Sequence, residues 1–283
     1  MNNGTAWLAP AKINLFLRIT GRRTDGMHTL QTAFQFIDLA DQLTFKITSD
    51  RQIKRLHAIA GVRDDQDLCV RAAQALQQYA AADCGVEITL HKQIPMAAGL
   101  GGASSDAATT LRVLNQLWQV GLDIEQLCAL GLGLGADVPV FIRGQAAWAE
   151  GVGEQLTALA KLPEYYYLIV NPQVNVSTAQ MFADSQLTRN CHTLTICHPE
   201  PGAFGNVFEP IARAKHAIID AIFNCLEPYC RPFLTGSGGC VVAAFSDQAS
   251  AIAMQANCPS GVHSIVAKSM NASPLNAQLL DAD

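Results

Sequence analysis

Between Pro95 and Asp106 the chain reads Pro-Met-Ala-Ala-Gly-Leu-Gly-Gly-Ala-Ser-Ser-Asp. A strand pattern precedes it and a helix pattern follows. Gly99, Gly101 and Gly102 lack a Cβ, so the backbone can turn sharply there and come close to a ligand. Free N–H groups at the start of the helix, together with its dipole, favour an anion. Ser104 and Ser105 would add hydroxyl donors. Ser and Asp are also ordinary helix caps, so this segment taken by itself fits a capped helix equally well. Three further features favour phosphate chemistry. Gly135-Ala-Asp137-Val-Pro139 puts a carboxylate in a turn. Leu234-Thr-Gly-Ser-Gly-Gly-Cys240 is a second glycine-rich turn, and Lys12 lies two residues from Asn14. A turn carboxylate, a strand lysine beside an Asn and two glycine turns together favour phosphate handling more than any one of them does alone.

Other phosphate signatures are absent. No glycine is followed by lysine, so there is no GxxxxGK[ST] loop. Gly131, Gly133 and Ala136 fit GxGxxA but follow a helical pattern rather than a strand. The HRD and DFG signatures of protein kinases are missing.

The elements that must position these residues follow from periodicity. Lys12 to Ile19 alternates, with Ile13, Leu15, Leu17 and Ile19 on one face and Lys12, Asn14, Phe16 and Arg18 on the other, as a strand does. Thr20 to His28 reads as a loop, and Thr29 to Asp38 and Gln42 to Ile47 as two strands. Leu68 to Ala82 has helical spacing. A strand ends at Lys92, and a helix runs from the glycine loop to about Trp118. Asp123 and Ile124 open another helix, to about Leu130. Val138 to Ile142 and Ala146 to Ala149 read as extended. After a Pro-containing stretch near Lys161 to Glu164 come a strand at Leu168 to Val170, a helix from Thr178 to Ala183 and a long helix from Phe208 to Leu226. Phe233-Leu234 and Val241 to Phe245 are strands flanking the second glycine turn.

Composition bounds the whole. The 283 residues are 49% hydrophobic and 15% charged, which excludes a disordered chain. A net charge of −5 argues against non-specific binding to nucleic acid or to anionic membranes. No apolar run reaches the ~18 residues of a membrane span. The N-terminus has no signal-peptide pattern. The nine cysteines form no CxxC pair. Cys191, His192, Cys197 and His198 match no standard metal spacing, so the thiols read as reduced and the chain as cytoplasmic.

The ordered set of segments resembles the GHMP kinases, the galactokinase, homoserine kinase, mevalonate kinase and phosphomevalonate kinase superfamily. Ala9-Pro-Ala-Lys12-Ile-Asn14-Leu is similar to its first signature, Pro95 to Asp106 to its second and Thr235-Gly-Ser-Gly-Gly239 to its third. Several other segments resemble the branch of non-mevalonate isoprenoid synthesis. They are Gly21-Arg-Arg-Thr-Asp-Gly-Met-His-Thr-Leu30, Leu132 to Phe141, Glu150-Gly-Val-Gly-Glu154 and Val266 to Leu275.

The resemblance implies a two-domain α+β fold with the active site in a cleft. Residues 1–160 would form a ribosomal-S5-like ATP-binding domain, and residues 161–283 a ferredoxin-like substrate domain. The implied reaction is ATP- and Mg²⁺-dependent phosphorylation of the 2-hydroxyl of a cytidine-diphosphate-linked methylerythritol, with no nucleic-acid, membrane or obligate protein partner. Asp137 is the implied base and Lys12 the residue that orients it. Lys92, near the adenine, and Pro95, Ala97, Ala98, Gly99, Leu100, Gly101, Gly102, Ala103, Ser104 and Ser105 are the implied nucleotide site. Asn14, Met27, His28, Asp137, Thr178 and Phe182 are the implied substrate site; the Mg²⁺ ligands are not implied. Met27 stands where that branch commonly carries an aromatic residue for stacking on cytosine, so a weaker or re-aimed contact is expected. Ala97 and Ala103 replace common glycines, so left-handed backbone is expected only at Gly99, Gly101 and Gly102. Asp67 replaces an expected Asn near the adenine. The rival readings are a homoserine- or mevalonate-class kinase or decarboxylase and a non-catalytic nucleotide-binding module. Asp25-Gly-Met-His28 combined with Asp137-Val-Pro139 disfavours the first, and the presence of both Lys12 and Asp137 disfavours the second.

Overall fold

The computed structural model describes residues 4–59, 61–81, 83–159 and 161–282. In chain order the strands are β1 (Trp7–Arg22), β2 (His28–Thr48), β3 (Ile53–Arg55), β4 (Gly85–His91), β5 (Ala147–Glu150), β6 (Gln155–Ala158), β7 (Tyr166–Asn171), β8 (Phe233–Leu234), β9 (Val241–Phe245) and β10 (His263–Met270). The helices are α1 (Leu68–Gln77), α2 (Gly102–Leu117), α3 (Ile124–Leu132), α4 (Val138–Arg143), α5 (Thr178–Ala183), α6 (Glu209–Lys215), α7 (Ala217–Leu226), α8 (Gln248–Gln255) and α9 (Leu275–Asp281). Among the described residues no helix is long and apolar enough to cross a membrane.

Among these strands one path runs β3-β4-β2-β10-β7-β9-β8, with β1 and the β5-β6 hairpin also paired to β2. The C-terminal half is a βαββαβ unit with strand order β10-β7-β9-β8, the ferredoxin-like arrangement. It joins the N-terminal half where Ser269 pairs with Ile37 and Met270 with Phe36. A shared apolar cluster adds to that junction: Ile13, Leu15 and Trp148 from one half bury with Tyr167, Ile169 and Val242 from the other.

Several elements differ from the sequence reading. β1 is buried on both faces, Lys12 and Asn14 included. Its alternation also breaks. Ile13 and Leu15 enter the shared cluster, whereas Leu17 and Ile19 enter the core of the C-terminal half. A register shift between Asn14 and Leu17 is the cause, since one extra residue moves every later side chain to the other face. The strand runs on to Arg22, so the loop before β2 is only residues 23–27. The two strands expected at 29–47 are one, because the polar interruption at Asp41 is buried and paired rather than solvated. α1 ends at Gln77, and the expected end at Ala82 lies outside the described residues, as do Ala160 and both outermost termini. Val138 to Ile142 is helical rather than extended. A short, fully buried apolar run has no periodicity to read, while Pro139 suits a first helical turn and Gly144 (φ 63°) a left-handed helix end. The helix expected at 208–226 breaks at His216, whose backbone is extended (φ −130°, ψ 97°). Arg213 braces that break through Asp220 (2.7 Å) and Glu227 (2.5 Å).

Candidate active site

The glycine loop leaves β4 and enters α2 with left-handed residues at Ala97 (φ 55°), Gly99 (φ 77°) and Gly101 (φ 74°). Gly102 already has helical backbone, and Ala97 takes the third left-handed position, contrary to the expectation from the glycine pattern. Gly101 is the N-cap of α2 and makes no side-chain cap bond, so the first N–H groups of this 16-residue helix receive no side-chain cap. Gly99 is required by a close approach: a Cβ there would lie 2.4 Å from the carbonyl oxygen of Thr235, and one at Gly238 would lie 2.4 Å from the Gly99 nitrogen. The two glycine turns are therefore back to back. Asn206 secures the second by donating to the carbonyls of Leu234 (2.9 Å) and Gly236 (2.8 Å). Thr235 accepts from the Asn14 N–H at 2.9 Å. Asn206 was not singled out from sequence, because an isolated Asn between helix and loop patterns has no motif.

Three residues of β1 and α4 meet at this loop. The Lys12 ammonium lies 3.2 Å from Asp137 Oδ2 and donates to the Gly99 carbonyl (3.2 Å) and to Asn14 Oδ1. It sits 5.2 Å from the centre of the Phe34 ring. Asn14 in turn donates to the Thr32 hydroxyl (2.9 Å), which donates to the Phe16 carbonyl (2.5 Å). The chain of donors fixes both ends of the Asn14 amide. Asp137 is the N-cap of α4, yet its carboxylate makes no cap bond and is 35% exposed. A residue serving only the turn would spend its carboxylate on the turn's N–H groups.

Two cavities flank the loop. One, of about 520 Å³, is lined by Asp67, Lys92 and the loop residues Pro95 to Ser104. The other, of about 350 Å³, is lined by Lys12, Asn14, Asp137, Thr178, Phe182 and Ser237 among others. Gly99, Gly101, Ser104 and Thr178 line both. A wider groove of about 680 Å³ between α2, α3 and α9 contains none of these residues.

The remaining expected residues divide. Pro95, Ala97, Ala98, Leu100, Gly102 and Ala103 line the larger cavity. Ser105 does not: it is fully buried and its hydroxyl donates to the Pro10 carbonyl at 2.7 Å. Met27 is 52% exposed in the 23–27 turn and lines neither cavity. His28 stacks against Phe182 beside the smaller cavity. Thr178 shares a hydrogen bond with Ser237 (2.8 Å), bridging α5 and the second glycine turn. Asp67 caps α1 through Cys69 and Val70 N–H and pairs with Arg55 at 2.5 Å. Cys191, His192, Cys197 and His198 form no metal-binding group, and no cluster of three or more His, Cys, Asp or Glu able to hold a metal occurs among the described residues.

Lys92 bridges two buried carboxylates, Asp41 and Asp106 (2.9 Å). Asp41 also accepts from the N–H groups of Gln93 (2.6 Å) and Ile94 (2.8 Å), so it pins the start of the loop. Burial pushes Asp106 up to about 8, with Lys92 opposing and Asp41 adding to the shift. Burial thus favours the neutral acid at Asp106 although Lys92 lies against it. Neither Asp41 nor Asp106 stood out in the sequence, since one lies in the gap between two strand patterns and the other reads as a helix cap.

The chain has clear relatives. Residues 67–145 match the GHMP kinases N terminal domain. A 4-diphosphocytidyl-2-C-methyl-D-erythritol kinase of Nitrosococcus oceani is 51% identical over 95% of this chain and 96% of its own. The protein of that name from Pseudomonas aeruginosa is 47% identical over 96% of each. A crystal structure of 4-(cytidine 5'-diphospho)-2C-methyl-D-erythritol kinase superposes with a TM-score of 0.78 at 29% identity, over 94% of this chain and 99% of that one. Methanococcus jannaschii mevalonate kinase, at 16% identity and a TM-score of 0.68 over 94% and 98%, shares the fold. This chain belongs to the 4-diphosphocytidyl-2-C-methyl-D-erythritol kinase family of the GHMP kinases.

Proposed function

We propose that the chain transfers the γ-phosphoryl group of ATP to the 2-hydroxyl of 4-diphosphocytidyl-2-C-methyl-D-erythritol. The observation that carries this reading is the Lys12–Asp137 pair beside the wall that the two cavities share. ATP occupies the larger cavity, its phosphates against the open N-terminus of α2 and the Ser104 hydroxyl. The acceptor occupies the smaller one. Asp137 faces that cavity with a carboxylate free of cap bonds, so it can take the hydroxyl proton as the new P–O bond forms. Lys12 is a fixed positive charge: its other donors are held by Asn14 and Gly99, which leaves it aimed at Asp137 and the transferring oxygens. Its burial strengthens that charge's effect, since little water screens it.

Mg²⁺ fits this site. The cation typically keeps substrate phosphates and waters among its ligands, and the Ser104 hydroxyl on the shared wall would be a protein oxygen beside those phosphates. When bound with the nucleotide it would neutralise phosphate charge. We take residues 1–160 and 161–283 as the two units of this enzyme; the β2–β10 pairing supports a junction between them, and residues of both line the smaller cavity.

A coupled assay of ADP release tests the reading, with the cytidylated methylerythritol, mevalonate, homoserine and galactose as parallel acceptors. Turnover is expected with the first alone. ADP release with mevalonate or homoserine, and none with the cytidylated compound, would overturn it.

A further inference from the structure

His28 and Phe182 form a stacked pair with ring centres 5.2 Å apart and planes at 31°. Phe182 lines the smaller cavity and meets Phe208 edge-on at 4.9 Å. Arg189 holds this pair from behind. Its Nη2 donates to the carbonyls of Phe182 and Asp184, at 2.8 Å each, and its Nη1 to that of Leu187 at 3.2 Å. Its Nε donates to His28 Nε2 at 3.2 Å. Phe182 is in the last turn of α5 and Asp184 is its C-cap. One guanidinium thus ties the carbonyl end of the helix carrying Thr178 and Phe182 to the first residue of β2.

A guanidinium has donors and no acceptor, and a neutral imidazole has one N–H. The ring nitrogen facing Arg189 must therefore carry the lone pair, which leaves the proton on Nδ1. A second proton on Nε2 would set N–H against N–H and cation against cation. Burial, Arg189 and Arg22, the strand partner of His28, together hold its pKa below the ordinary imidazole value. The nearby acids are occupied elsewhere. Asp25 pairs with Arg23 (2.9 Å), Asp184 pairs with Lys215, and no carboxylate bonds His28 among the described residues.

We infer that Arg189 is a positioning residue that locks His28 as the neutral, Nδ1-protonated tautomer, so that the site meets the substrate there with an N–H donor for an uncharged heterocyclic acceptor rather than with a cation for a phosphate. The identity of that acceptor, a cytosine edge, rests on the function proposed above; the tautomer does not.

The test is ¹⁵N–¹H correlation of the histidine side chains in the ligand-free chain near neutral pH, with His28 assigned by its loss in His28→Gln. The wild type is expected to show His28 protonated at Nδ1 and bare at Nε2. Arg189→Met should move the proton to Nε2 and raise the His28 pKa. It should also raise KM for the cytidylated substrate about tenfold, the size of one lost hydrogen bond, with a much smaller change in kcat and in KM for ATP. Arg189→Lys, which retains a donor, should restore part of each. If Arg189→Met does not fold, the wild-type spectrum still decides: an Nε2-protonated His28 overturns the inference. An Arg189→Met protein with unchanged tautomer overturns it too. A switched tautomer with unchanged KM overturns the recognition role. A wild type that shows the Nδ1 tautomer but does not turn over the cytidylated compound leaves the tautomer standing and refutes the proposed function instead.

Discussion

At the scale of single residues, the charges of Asp137, Lys12 and Asp106 have consequences that can be measured separately. Asp137→Asn keeps size and shape and removes the ability to take a proton together with the charge paired with Lys12. It is predicted to lower kcat about 10²–10⁴-fold, the range of general-base catalysis, with ATP affinity and melting temperature little changed. Steady-state kinetics beside a thermal melt checks this. Lys12→Met should give a comparable loss, and the double variant should lose far less than the product of the two, because a pair acting as a unit is not additive. Asp106 makes a separate, pH-dependent prediction. Its folded pKa of about 8 lies above the usual carboxylate value near ~3.9. Between those values the native state holds a proton that the unfolded chain releases, so stability from this group falls as pH rises through the window. Asp106→Asn mimics the protonated acid. Its melting temperature should therefore fall less than that of the wild type between about pH 5 and 8. Equal falls in both would mean that Asp106 is ionised beneath the loop.

At the scale of elements, the loop is shaped as much by its neighbours as by its own glycines. Ala97 holds a left-handed conformation that costs an L-residue roughly 1–2 kcal/mol. Ala97→Gly should remove that cost and, after the entropy penalty of glycine, stabilise by about 0.5–1 kcal/mol, readable by denaturant unfolding. A loss of stability would mean that the alanine methyl makes contacts worth more than the strain. Gly101→Val looks in sequence like a change confined to phosphate approach. In the fold, a Cβ at Gly101 would lie 2.7 Å from the Phe141 ring and 3.1 Å from the Lys12 stem, so it disturbs packing and Lys12 together. The sequence carried the glycine loop, α2, the Thr178–Ala183 helix and the Lys12, Asn14 and Asp137 set, because each has a spacing tied to a function or a period. It did not carry α4, whose buried apolar run has no period, or the bulge in β1, which reverses the faces midway. The supporting groups Asp41, Asn206 and Arg189 were also invisible. Each acts through a partner more than twenty residues away in sequence or, like Arg189, through backbone carbonyls that no side-chain pattern reports.

At the scale of the whole molecule, the site exists only because two halves meet. The first half supplies Lys12, Asn14, the glycine loop and Asp137. The second supplies Thr178, Phe182 and the turn at Thr235 to Gly239, which backs directly onto Gly99. The β2–β10 pairing and the shared apolar cluster hold these sets in register. On the proposed function, the shared wall lets the donor phosphoryl group and the acceptor hydroxyl be bound at once, so that the group passes directly between them in line. The most direct test is the stereochemical course at phosphorus, using ATP made chiral by isotopic labelling at a γ-thiophosphoryl group. Direct transfer across the Lys12–Asp137 junction predicts inversion in the phosphorylated product. Retention would mean two successive displacements through a phosphorylated side chain, and would contradict the role given to Asp137.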